Sequence, residues 1–438
     1  MEKSVRPSRR TSFPAFAAAS ALLVAETASG AGFALYEGSA RGNVTPASLA
    51  AKGGEASALY FNPAAITAVP GTQVQVGLTA IVPTADVETR NPYSGEFNRS
   101  HGDGKVWPIP HVYLTSQLDD EFWFGFGVGT RFGLGAEFDE TWPGRYSSYK
   151  AEILSFDVMP TIAWKATDRL SLALGISFRY FDIELAQKID AAGLNGLRNY
   201  NDPSYSPFDV DQNLHGDDTK PGIDLGLTYK ATDTLTVAAA WHSRIKFKCK
   251  GEAKWRKPAA VQALAPAGWN DMTFHAYNYN PDAFVLALAW DATEKLTLSA
   301  GATYTTWSLY DDLEIDFHGQ MLPGVEKISA DKKWHDTWRL SFGGDWKLSD
   351  EWTLRAGYTW DQSPINGRFV DYLVPGDNRH IFAVGAGWAR GAWSVEASYF
   401  YELVDDYDVT GRPRNGVYDG KFRGASGHAL ALSVGYAF

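Results

Sequence analysis

What most constrains this chain is a two-residue periodicity that recurs from near residue 70 to the C-terminus. Phe122, Phe124, Phe126 and Val128 share one face, with Gly125, Gly127 and Gly129 on the other. Leu170, Leu172, Leu174, Ile176 and Phe178 oppose Ser171, Ala173, Gly175, Ser177 and Arg179. Trp393, Val395, Ala397, Tyr399 and Tyr401 oppose Ser394, Glu396 and Ser398. Strands put successive side chains on opposite faces, so each segment carries one apolar face and one small or polar face. Two sheets of a soluble sandwich would not bury the second face between them. A transmembrane barrel accounts for both, apolar toward lipid and polar toward the lumen.

Turn signals give the strand count. Ala166-Thr167-Asp168-Arg169-Leu170, Ala231-Thr232-Asp233-Thr234-Leu235 and Ala292-Thr293-Glu294-Lys295-Leu296 repeat one pattern. Leu118-Asp119-Asp120-Glu121, Leu348-Ser349-Asp350-Glu351 and Ala389-Arg390-Gly391-Ala392 are looser versions. Longer polar stretches lie near 84–106, 134–148, 189–217, 251–269, 319–325, 364–378 and 404–420. Six short turns and seven long loops make thirteen connections, hence fourteen strands. The fold expected is all-β, a fourteen-stranded antiparallel transmembrane barrel. An even count puts both termini on the short-turn side, expected to be periplasmic. The last segment alternates Leu430, Leu432, Val434, Tyr436 and Phe438 with small residues. Its terminal Phe438 resembles the signal read by the outer-membrane barrel assembly machinery.

Residues 1–30 read as a secretory signal peptide. Lys3, Arg6, Arg9 and Arg10 precede the apolar stretch 13–24, and Ala28-Ser29-Gly30 supplies small residues for cleavage. Residues 31–70 do not alternate and are rich in Gly, Ala and Ser; they read as an N-terminal hatch or plug. Residues 71–438 form the barrel. A net charge of −11 argues against a nucleic-acid partner. Cys249 is alone, so neither an intramolecular disulfide nor a Cys-rich metal site can form. Nine scattered histidines show no metal spacing, and no nucleophile elbow is present, so neither an enzyme nor a cofactor is expected.

Ala31-Gly32-Phe33, followed by Ala58-Leu59-Tyr60-Phe61-Asn62-Pro63-Ala64-Ala65-Ile66-Thr67, closely resembles the hatch of the FadL family. The likeness continues through residues 131–138, Thr306-Trp307-Ser308 and Asp361-Gln362-Ser363-Pro364 to the C-terminus. That resemblance, which includes the TodX-type aromatic hydrocarbon branch, implies outer-membrane transport of long-chain fatty acids or other hydrophobic compounds by a monomer. It also implies a gate in which Asn62, Pro63 and Ala64 contact an inward kink of strand three at Gly133, opening the wall sideways.

Two strands change character beyond the lipid band. Phe181, Ile183 and Leu185 on strand five, and Leu309, Leu313, Ile315 and Phe317 on strand nine, fall on the inward face, with acidic residues outward. An apolar interior there implies a dry ligand pocket near the mouth. For a fatty-acid carboxylate, Arg244, Lys246 and Lys248 would point inward if the register holds, although the same run would also suit a lipopolysaccharide-facing surface. The family's two basic head-group contacts align with Gln187 and His335, a departure that leaves room for a neutral hydrocarbon. Lys188 falls on the outward face. A general aqueous porin, a barrel enzyme and a purely structural or adhesive barrel are the competing readings.

Overall fold

The computed structural model describes residues 32–438 apart from 103–104, 265–267 and 375. The expected signal peptide over 1–30 lies outside the described residues. The wall begins with β1 (Thr72–Arg90), β2 (Trp107–Gln117) and β3, which is split into Phe122–Gly129 and Gly133–Glu137. β4 (Lys150–Lys165), β5 (Leu170–Asp190) and β6 (Asp209–Lys230) are unbroken. Four strands then come in two pieces each. These are β7 (Leu235–His242, Ile245–Arg256), β8 (Met272–Asn280, Ala283–Asp291), β9 (Leu296–Thr305, Asp312–Phe317) and β10 (Lys327–Asp331, Thr337–Lys347). β11 (Trp352–Asp361), β12 (Arg379–Arg390), β13 (Trp393–Val404) and β14 (Gly420–Ala437) complete the ring. All neighbours are antiparallel, and β14 returns to β1 from Gln73↔Ala437 to Thr89↔Gly420, closing the fourteen strands into a ring.

The repeated turn has a single chemical basis. The Thr167 hydroxyl accepts from Leu170 N at 2.9 Å, and Thr232 and Thr293 do the same for Leu235 and Leu296 at 3.0 Å. Ser349 and Asp119 serve the looser turns, capping Trp352 N at 3.1 Å and Phe122 N at 2.7 Å. Short hydroxyl or carboxylate side chains hold such turns by bonding backbone two or three residues on. The remaining turn uses Gly391 at φ 59°, where a side chain would be strained.

Outward faces carry the exposed apolar residues, among them Leu174, Ile176, Phe178, Leu430 and Leu432. Aromatic pairs mark both rims of this band. Phe122 stacks on Trp164 at the short-turn end; at the long-loop end Trp241 stacks on Phe284, and Tyr304 packs tilted against Trp338. Outward positions Trp338 and Trp346 of β10 are eight residues apart, roughly 26 Å of strand, enough for a tilted strand to span the apolar height of an outer membrane.

Residues 33–69 pack on the inward faces of the strands. They form a helix at Pro46–Lys52, a helical turn at Ala58–Phe61 and a 3-10 helix at Pro63–Ala68, nearly all of it buried. Inward glycines make the room: a Cβ on Gly127 would meet Leu59 at 2.9 Å, and one on Gly301 would meet Ala47 at 3.0 Å. Of the second-face glycines of the sequence, Gly125, Gly127 and Gly129 are therefore seats of this segment, whereas Gly175 faces Thr161 and Asp224 of the wall.

Candidate functional site

β3 is interrupted over residues 130–132, and Gly133 is the first residue past the break. Its lower piece pairs with β2 only from Val112↔Val128 to Gln117↔Trp123, while its upper piece pairs only with β4. Residues 107–111 of β2 consequently have no ladder partner on β3 among the described residues. In place of that ladder, the N-terminal segment bonds the break from inside. Leu35 N donates to Arg131 O at 2.8 Å, and Gly133 N donates to Phe33 O at 2.9 Å. A Cβ on Gly133 would lie 2.7 Å from Leu35 Cδ1.

The expected partner of this break was different. Asn62, Pro63 and Ala64 sit against β6: a Cβ on Gly226 would meet Asn62 Oδ1 at 2.4 Å and Pro63 Cγ at 2.9 Å. Asn62 is fully buried, donating to Ala50 O at 2.8 Å and Leu227 O at 3.1 Å and accepting from Ala64 N at 3.1 Å. The Asn-Pro-Ala turn thus fastens the segment to one wall, and Phe33-Ala34-Leu35 meets the β3 break on another.

Above the segment lies an aromatic cluster. Phe33 touches Trp307, Tyr310, Trp334 and Phe132 at centroid distances of 4.8, 5.6, 5.8 and 6.0 Å. Phe181, Ile183, Leu313, Ile315 and Phe317 belong to the same buried apolar body, with Leu185 packed at its edge. Leu309 does not. A 3-10 turn at Trp307–Leu309 interrupts β9 and sends Trp307 inward, leaving Leu309 half-buried outside the cluster. Trp307, Trp334 and Phe33 were missed as cluster members; Trp307 and Phe33 stood inside quoted motifs but had been given no role.

A cavity of about 510 Å³ opens at the long-loop end, lined by Leu185, Gln187, Leu313 and Ile315 together with Arg412 and Arg414. Arg412 is engaged by backbone carbonyls of residues 368–370, whereas the Arg414 side chain has no hydrogen-bond or carboxylate partner among the described residues. Lys188 also borders it but is buried, not water-facing. Loop residues fold over its side of β5, so its ammonium meets Asp211 at 2.9 Å and Glu140, over the Tyr149 ring. Burial pushes the phenol of the loop residue Tyr146 above its ordinary value; it stays neutral and donates to Asp209 at 2.7 Å.

The remaining head-group candidates lie outside. At Ser243-Arg244, opposite Pro281-Asp282 of β8, the ladder skips two residues on each strand, and the inward parity of β7 changes from His242 to Ile245. Pro281 has no N–H to give the ladder. Ile245, Phe247 and Cys249 are therefore buried inside, while Arg244, Lys246 and Lys248 face outward. His335 is likewise exposed. It lies in the break of β10, where Trp334 takes the inward position.

Beneath the aromatic cluster the open interior is small, with apolar walls that include Ala47, Ile381 and Phe400 and with charged groups among them. A cavity of about 90 Å³ is bordered by Leu35, Tyr60, Phe61, Arg131, Arg179 and His242. Its cations are neutralised: Arg179 meets Asp157 at 2.8 Å, Arg131 lies 3.8 Å from Asp224, and Asp224 contacts His242 at 2.6 Å. The Arg131 and Arg339 guanidinium groups also stack on Tyr60 and Tyr36 at 4.6 and 4.2 Å, tying segment to wall. This cavity shares Leu35 and Ile381 with a smaller one of about 20 Å³, which shares Pro83 with another of about 30 Å³. That last space reaches Leu134 and Gly135, beside the β3 break.

The family model described as outer membrane protein transport protein (OMPP1/FadL/TodX) matches residues 21–438. The chain belongs to this family. A FadL homologue from Pseudomonas aeruginosa, of known crystal structure, matches with a TM-score of 0.80 at 23% identity, covering 93% of this chain and 100% of that one. The Pseudomonas putida toluene transporter TodX matches with a TM-score of 0.67 at 18% identity, over 89% and 97% of the two chains. The long-chain fatty acid transport protein of Salmonella typhi is 21% identical over 397 residues, 87% of this chain and 89% of that one. Likeness at these identities establishes the fold, and membership makes this FadL/TodX chain an outer-membrane transport protein for hydrophobic compounds rather than an enzyme.

Proposed function

We propose that this FadL/TodX member carries long-chain fatty acids inward across the outer membrane and releases them sideways through the β3 break. The short-turn end, with both termini, faces the periplasm, and the long loops face outward. A ligand enters the mouth cavity, where its chain lies on Leu185, Leu313 and Ile315 and its carboxylate meets Arg414, with Gln187 as a second donor. The cavity volume falls in the range of pockets that hold small apolar ligands. Inward movement requires Phe33 and the rest of residues 32–69, the hatch, to shift, because a space of about 90 Å³ is smaller than a cavity known to accept benzene. Exit between β2 and β3 keeps an apolar molecule in lipid and away from both the ionic lumen and the periplasmic water.

The observation that carries this reading is the wiring of the β3 break to Phe33 and Leu35, because it links the segment below the aromatic cluster directly to the missing ladder. A second reading, uptake of a neutral aromatic hydrocarbon, is favoured by the neutralisation of Lys188 by Asp211 and Glu140. The test is uptake of labelled oleate and labelled toluene by cells lacking their own transporter. Faster oleate entry, lowered several-fold by Arg414→Ala with toluene unaffected, is the expected result. Toluene-selective uptake insensitive to Arg414→Ala supports the hydrocarbon reading, and accelerated entry of small sugars alone points to a porin.

A further inference from the structure

The parity change in β7 has built a second feature on the outside of the barrel. Below it, outward positions are Leu235, Val237, Ala239 and Trp241; above it they are Arg244, Lys246, Lys248 and Lys250. Trp241 stacks on Phe284 at the rim of the apolar band, so the four cations begin where hydrocarbon gives way to head groups. Alternate residues of a strand are roughly 7 Å apart, which spaces the charges along the barrel axis. Arg244 is bound to Asp282 at 2.6 Å. Lys246 lies 4.9 Å over Tyr279 and 5.4 Å over Tyr277, and Lys248 lies 5.6 Å over Tyr277. Lys246, Lys248 and Lys250 have no carboxylate in ion-pair contact among the described residues. Carboxylates flank the row: Asp217 directly opposite Lys250 with Asp182 beyond it, Asp218 on the backbone N of Lys248, Glu314 opposite Tyr277 and Asp316 opposite His275.

On a chain of net charge −11, three ammonium groups with no carboxylate in ion-pair contact, on one strand at lipid head-group height, are placed to receive an anion. We propose that this face of β7 and β8 binds the phosphorylated sugar head group of the outer-leaflet saccharolipid, lipopolysaccharide. Clustered cations beside a membrane draw anionic head groups electrostatically. Tyr277 and Tyr279 add flat, hydroxyl-bearing surfaces that sugars can lie against. This assignment rests on the long loops facing outward and is independent of what the lumen carries.

The test uses the purified full-length protein in detergent, with labelled lipopolysaccharide and its dephosphorylated derivative. The variants are Lys246→Gln/Lys248→Gln/Lys250→Gln and the charge-preserving Lys246→Arg/Lys248→Arg/Lys250→Arg. The wild type and the Arg variant are expected to bind the phosphorylated lipid at least about tenfold more tightly than the Gln variant, with affinity falling as salt rises. Equal binding by the Gln variant, or equal binding of the dephosphorylated lipid, would overturn the assignment. So would full competition by inorganic phosphate at matched phosphate concentration, which would reveal an isolated anion site. Binding in detergent does not depend on insertion direction or transported ligand, so a negative result counts against the patch alone. Unchanged heat-modifiable migration of the Gln variant on gels establishes that it is folded.

Discussion

Asn62 is buried, and its amide serves three backbone groups at once: Ala50 O on the segment, Leu227 O on β6 and Ala64 N in its own turn. Removing it leaves buried carbonyls without a donor, at a cost of about 1–3 kcal/mol. Asn62→Ala is therefore expected to loosen the segment and raise open-channel conductance in planar bilayers roughly tenfold, since 1.4 kcal/mol is a factor of ten. Unaltered conductance would mean that the turn does not hold the segment. Single residues were also where the sequence was hardest to read. Phe181, Ile183 and Phe317 face inward as alternation implies. Arg244, Lys246 and Lys248 do not, because alternation extrapolates through a strand only while its ladder is continuous. Pro281-Asp282, in the middle of the neighbouring segment, was the signal of a break: proline cannot donate, and the Asp282 carboxylate takes Arg244 N at 2.9 Å instead. Arg414 was invisible for another reason, since loop 404–420 has no periodicity from which to infer where a side chain points.

At the scale of elements, the β3 interruption and the N-terminal segment behave as one unit, joined by two backbone hydrogen bonds and the Leu35–Gly133 contact. Gly133→Val places its branch where Leu35 now lies. It is expected to displace residues 33–35 and lower oleate uptake several-fold while the barrel keeps its heat-modifiable migration on gels. Uptake at the wild-type rate would remove the break from the pathway. Periodicity made the fourteen strands countable, and the Thr-capped turns fixed which connections are short. The internal breaks of β7 to β10 were not legible in the same way. They lie beyond the lipid band, where outward residues need not be apolar and the alternation that marks a strand fades. Which wall Asn62-Pro63-Ala64 would meet was equally hidden, because a motif fixes a local turn and says nothing about its distant neighbour.

At the scale of the molecule, the wall supplies a ring whose inward faces are polar, and the segment fills it. Arg131, Arg179 and Arg339 are held by Asp224, Asp157 and Asp361, and the space left beside them, about 90 Å³, is too small for a long apolar molecule. Transport on this account requires the segment to move against the wall. Ala47 and Gly301 lie where a disulfide can forbid that movement: the Cβ built on Gly301 is 3.0 Å from Ala47 Cβ, a small relaxation away from the usual separation of about 3.8 Å. Cys249 is buried at a distance in sequence and in the upper apolar body, and does not compete for this pairing. The most direct measurement is oleate uptake by cells expressing Ala47→Cys/Gly301→Cys, oxidised and then reduced. Uptake is expected to be lost in the oxidised protein and to return on reduction. Equal uptake in both states would contradict this, and would make the N-terminal segment a fixed part of the wall.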